Sequence, residues 1–142
     1  MSEPSGELLV AQRIERPQED PFERRVLADG EVFERTSTRA EVRDGEVQFE
    51  RVPLEWREVV RLDGDAVASI ASAIRDGGVL ELPEEHAPPG TSAGGSLVTY
   101  TVALDGREHS VRLINLAPAQ VPGVAELDLA VQLAVGRALN PE

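Results

Sequence analysis

Asp-Gly occurs five times in this 142-residue chain, at Asp29-Gly30, Asp44-Gly45, Asp63-Gly64, Asp76-Gly77 and Asp105-Gly106. Both residues tolerate the positive φ of a tight hairpin turn, so the pair predicts two antiparallel strands wherever alternating apolar runs flank it. The pairs at 29, 44 and 105 have such flanks. The clearest is the last: Val98, Tyr100, Val102 and Leu104 alternate strictly, the chain turns at Asp105-Gly106, and Val111 and Leu113 return on one face with His109 in phase. Hairpins are also predicted from Arg25 to Arg35 and from Arg39 to Val52, where Val32, Val42, Val47 and Phe49 alternate with Glu and Arg. That alternation implies one buried and one wet face. A first strand spans Leu8 to Ile14, with Leu8, Val10 and Ile14 on one side, and Trp56 to Leu62 has an ambiguous pattern that could extend the meander.

Two segments switch to helical period. Val67, Ile70, Ala71 and Ile74 recur at i, i+3, i+4 and i+7, with Asp63 or Asp65 as N-cap and Gly77 as C-cap. Gly78 to Pro83 is a short apolar tuck, followed by a loop from Glu84 to Ser96. A second helix runs from about Gly123 to Leu139, with Pro122 near its first turn, where a missing N–H costs little. The expected fold is α+β: an antiparallel meander sheet of five to seven strands with two helices packed on one face. Residues 7–142 form a single domain behind a disordered tail of residues 1–6. A chain of this length buries enough surface to need no metal or disulfide.

Composition narrows the function. Fourteen basic residues, all Arg, stand against 26 acidic ones, a formal net charge of −12. Nucleic-acid binders gain affinity by neutralising phosphates with cations, and anionic membranes attract the same groups, so neither partner is expected. Cysteine is absent, which removes disulfides, thiolate nucleophiles and thiolate metal sites. No charged start followed by an apolar run suggests a signal peptide, and no stretch is long enough to span a membrane, so a cytoplasmic location is expected.

Motifs for chemistry are weak. Gly90-Thr91-Ser92-Ala93-Gly94 matches the nucleophile pattern G-x-S-x-G, which needs a strand-to-helix turn above a parallel sheet. Here two prolines precede it and a strand follows, so it is read as a small-residue loop. His86 and His109 lie 23 apart on a loop and a strand, without metal-ligand spacing. Asp63-Gly64-Asp65 opens like a calcium loop, but its twelfth position is Ile74 rather than Glu. No enzyme and no cofactor are expected.

The closing helix is more informative. Val124, Leu127, Val131, Ala134, Val135 and Ala138 form one apolar face, while Ala125, Leu129, Leu133, Gly136 and Leu139 form a second on the opposite side. Such a helix is covered twice, either by its own chain throughout or by a second copy or another protein on the outer side. Leu129, Leu133 and Leu139 are the candidate interface residues. A competing small-molecule or peptide site lies near the 86–96 loop, with His86, Pro89, Ser92 and His109 as its candidates.

The segments AIRDGGVLELP (Ala73 to Pro83), Tyr100 to Leu104 and Gly106-Arg107-Glu108-His109-Ser110-Val111 resemble small bacterial α+β domains of the emfourin group, which includes inhibitors of thermolysin-like metalloproteases. The resemblance covers residues 65–140. It implies the same helix, apolar tuck, hairpin and final helix, and a non-catalytic role in binding a protein. No inhibitory residue maps onto this chain, and the N-terminal hairpins lie outside the likeness.

Overall fold

The computed structural model describes residues 3–89 and 95–140. Seven strands form one sheet: β1 (Leu8–Glu15), β2 (Phe22–Leu27), β3 (Glu31–Arg43), β4 (Glu46–Arg61), β5 (Glu85–His86), β6 (Leu97–Leu104) and β7 (Arg107–Ile114). Their order across the sheet is β4-β3-β2-β1-β6-β7-β5. Two helices, α1 (Gly64–Gly77) and α2 (Val124–Leu139), complete the expected α+β architecture. The sheet is mixed rather than purely antiparallel, because β5 runs parallel to β7. After leaving the β4 edge, α1 and the 79–81 turn carry the chain to the opposite edge of the sheet, where β5 arrives with β7's direction.

The Asp-Gly turns fall into two kinds. Asp44-Gly45 and Asp105-Gly106 each place both residues at positive φ, as a type I′ hairpin requires. At Asp29-Gly30 only the glycine does so, with φ +98°. Ala28, Asp29 and Gly30 form a three-residue loop closed by Gly30 N–H on the Leu27 carbonyl at 2.9 Å.

One cluster of buried side chains joins sheet to helices. Leu9, Val10, Val26, Val32, Val98, Tyr100, Val102, Val111 and Leu113 meet Ile70 and Ile74 of α1 and Val124, Leu127, Val131 and Val135 of α2. The first strand departs from its expected pattern, since Leu9 and Val10 are both buried and Leu8 only partly so. An irregularity between Leu8 and Val10 in the pairing with β2 explains it, because a bulge lets adjacent residues serve one face. Trp56 lies outside this cluster and is buried beneath Arg25, whose guanidinium sits 5.0 Å from the ring centroid.

Asp63 caps α1, its Oδ1 accepting the Ala66 N–H at 2.8 Å. The helix runs one residue past the expected stop: Gly77 is helical, and Gly78 is the left-handed residue, with φ 84°. At the start of α2 the Glu126 carboxylate accepts the Gly123 N–H, the one half of a capping box open to a helix with no side chain at its N-cap.

The hairpins expected at 25–35 and 39–52 are parts of a longer construction. β3 and β4 pair from Glu31↔Arg61 to Arg43↔Glu46, whereas β2 accompanies β3 only from Glu23↔Arg35 to Val26↔Val32. Beyond that point the two strands continue alone as an arm. Val32 is fully buried as expected, but Val42, Val47 and Phe49 are 70, 60 and 75% exposed. Among the described residues no further strand pairs with the arm, and its apolar side meets solvent.

Candidate functional site

The outer face of α2 is where sequence and structure meet most clearly. Burial of Val124, Leu127, Val131, Ala134 and Val135 fixes the inner face against the sheet and α1. Leu129, Leu133 and Leu139 then point away, at 58, 45 and 51% exposed. The described residues thus leave about half of each of these leucines uncovered. Beside Leu129 and Leu133, between the first turns of α1 and the back of α2, runs a groove of about 720 Å³. Its floor is small and apolar, with Ala66, Ala130, Ala134 and Ala138. Its rim carries Asp63, Asp65 and Glu126 opposite Arg61 and Arg137. Small floor residues and leucine walls suit an inserted apolar side chain, and the mixed rim supplies charges to orient it.

Behind that face a polar chain ties α2 to the sheet. Gln12 Nε2 donates to Tyr100 Oη at 2.9 Å, Tyr100 Oη donates to Asp128 Oδ1 at 2.5 Å, and Gln132 Nε2 donates to Asp128 Oδ2 at 2.6 Å. Burial of the Tyr100 ring pushes its hydroxyl pKa well above the ordinary value of 10, and the bond to the Asp128 carboxylate adds to the rise. This network fixes the rotation of α2, and with it the outward direction of the leucines. The sequence holds its signal: a tyrosine inside a strictly buried alternation must find a partner for its hydroxyl.

The candidates for the second site are not brought together. His86 is half-buried, with Nε2 donating to the Pro83 carbonyl at 2.9 Å. It lines a shallow hollow of about 540 Å³ with Leu82, Glu85, Ala87, Leu116, Gln120, Val121 and Pro122. His109 donates from Nε2 to the Leu82 carbonyl at 2.7 Å, pinning the apolar tuck onto β7. His86 stands opposite Leu113 in the β5–β7 pairing. His109 is therefore four residues away along β7, about 13 Å at strand rise. Pro89 is exposed and outside the hollow's lining. Ser92, with the rest of Gly90 to Gly94, lies outside the described residues.

Other expectations from the sequence resolve locally. The Asp63 carboxylate is engaged as a helix cap rather than poised for an ion. Among the described residues no group of three His, Asp or Glu side chains could hold a metal, and no helix is long and apolar enough to cross a membrane. The residues that sequence reasoning placed on the wrong side of the ledger are Val42, Val47 and Phe49, a second apolar surface. The chain matches no protein-family model and no curated protein.

Proposed function

We propose that this chain is a non-catalytic protein-interaction module whose docking surface is the outer face of α2 with the groove beside α1. The observation that carries the reading is the exposure of Leu129, Leu133 and Leu139 on α2, the first two lining a groove with an alanine floor. Isolated exposed leucines are ordinary, but Leu129 and Leu133 one turn apart beside an apolar groove form the kind of contiguous patch that marks an interaction site. A photo-crosslinking residue at position 133, compared with one at exposed Glu108 on β7, tests it. A discrete protein adduct specific to position 133 is the expected result, and equal smears from both positions reject the surface.

The resemblance of residues 65–140 to emfourin-like domains supports one form of this role, inhibition of a thermolysin-like metalloprotease. Titration against a panel of such enzymes decides that form. Inhibition weakened about tenfold by Leu133→Glu supports it, since central apolar anchors carry such losses. Undiminished proteolysis across the panel removes it. A second reading, a small-molecule or peptide site at the His86 hollow, draws on a volume within the ordinary range of ligand pockets. Ligand-induced thermal stabilisation that disappears in His86→Ala is its test.

A further inference from the structure

Every large hydrophobic side chain that is exposed among the described residues belongs to one of two patches. One is the α2 face with Leu129 and Leu133, and the other is the arm with Val42, Val47 and Phe49. On the arm the pairs Val42↔Val47 and Ala40↔Phe49 are alternate rungs, two residues apart, so these four side chains share one side. The opposite side is wholly polar, with the pairs Arg39↔Glu50, Glu41↔Gln48 and Arg43↔Glu46. A two-stranded ribbon standing alone in water is marginal, and this one has an apolar side with nothing against it.

We propose that the apolar side of the arm docks into the α1–α2 groove of a second copy of this chain, reciprocally, as a two-fold dimer. The proposal rests on the reading of α2 as a docking face and names its occupant. The arm cannot serve its own groove. Arg61 and Leu62, at the far end of β4, line the groove, and Phe49 lies twelve residues away along the same strand. At strand rise that is about 40 Å, and a paired hairpin does not fold back over such a distance. A second copy lying antiparallel brings each arm to the other's groove, and the two-fold axis closes the assembly.

Area, spacing and charge agree with this occupant. Six exposed apolar side chains per copy, at about 100 Å² each, give about 1,200 Å² over both copies, the lower end for a specific stable interface. Val47 and Phe49 are about 7 Å apart along the strand. Leu129 and Leu133 are about 6 Å apart along the helix. The pairing Thr38↔Arg51 lies two rungs from Phe49 on the same side, so Arg51 extends that side inward; its side chain is 86% exposed and, among the described residues, holds only a long ion pair, 3.9 Å to Asp20. The rim it would meet carries three carboxylates, Asp63, Asp65 and Glu126, against two guanidiniums, Arg61 and Arg137. Pro53, in the middle of the edge strand β4, has no N–H to donate, which discourages edge-to-edge pairing there.

The absence of native cysteine makes the test clean. Differently tagged copies of the full chain carrying Ala40→Cys, on the arm, and Ala130→Cys, on the groove floor, are mixed and treated with a short bis-maleimide. A mixed 40–130 product at least about fivefold over either same-variant product is expected, because a reciprocal contact joins unlike patches. Adding Phe49→Glu to the Ala40→Cys copy should cut the mixed product about tenfold, the loss expected of a central anchor. Phe49 is outside the core, so thermal unfolding of that variant should match the parent. A same-variant 130–130 product in place of the mixed one overturns the inference while leaving α2 as the docking face. A 40–40 product, or none at all, also overturns it, and the photo-crosslink at position 133 then decides separately whether α2 docks anything.

Discussion

Val98, Tyr100 and Val102 on β6 and Val42, Val47 and Phe49 on the arm follow the same two-residue alternation of apolar and polar side chains. The first three are 6, 1 and 1% exposed, and the other three are 70, 60 and 75% exposed. Both regions are paired strands, and both turn through Asp-Gly at positive φ. They differ in what lies over them. β6 is flanked by β1 and β7 and lies in the cluster that α1 and α2 complete, whereas the arm outruns β2 and, among the described residues, is paired only within β3 and β4 and touched at Arg51 by Asp20. Alternation therefore encodes the strand and the existence of an apolar side. Cover is decided by how far neighbouring elements extend.

The contrast can be broken by substitution. Ile74→Ala, in the fully buried part of α1, should destabilise the chain by about 3 kcal/mol in denaturant unfolding, through lost transfer energy and an unfilled cavity. Gly30→Ala comes next. A Cβ there would stand 2.3 Å from the Leu62 carbonyl oxygen at a φ of +98°, and the expected loss is about 2 kcal/mol. A small effect would show that the β3 entry and the end of β4 can separate freely.

Tyr100→Phe should cost about 1–2 kcal/mol near neutral pH, since it removes the hydroxyl that Gln12 and Asp128 share. Its alkaline behaviour is sharper. The folded pKa of Tyr100 is raised, so its stabilising contribution is complete below the ordinary value of 10 and declines above it as the unfolded state releases the proton first. Wild-type stability should fall there by up to about 1.4 kcal/mol per pH unit relative to Tyr100→Phe. This is the only tyrosine in the chain, so phenolate absorbance should appear together with unfolding rather than before it. At the other extreme, Phe49→Ser should change the stability of the dilute monomer by less than about 0.5 kcal/mol, as for surface positions without special contacts. A loss as large as that of Ile74→Ala would mean the arm is covered by its own chain.

Much of the architecture was legible because its signals are local. Period-two runs, Asp-Gly turns, the Asp63 cap and the 3.6-residue period of α1 each depend on a few adjacent residues. The double-faced α2 was legible for the same reason, since its six-residue inner face left Leu129, Leu133 and Leu139 outward in any packing. What the sequence could not hold is set by distant partners. The bulge that buries Leu9 beside Val10 depends on register with β2, and the parallel β5 depends on where α1 delivers the chain. The length of β2 relative to β3 decides that Val42 and Phe49 are bare, and nothing near those residues announces it. The alternation puts His109 in phase with Val111 and Leu113, but its hydrogen-bond partner, the Leu82 carbonyl, is 27 positions away.

Residue-resolved amide exchange across a dilution series tests the comparison most directly. In dilute solution the cross-strand hydrogen-bonded amides of residues 38–51 should exchange orders of magnitude faster than those of β1 and β6, and they should slow as the concentration rises while the core strands stay unchanged. Arm amides as slow as those of β6 at every dilution would contradict the account, because protection without a second copy would mean that the chain holds its own arm.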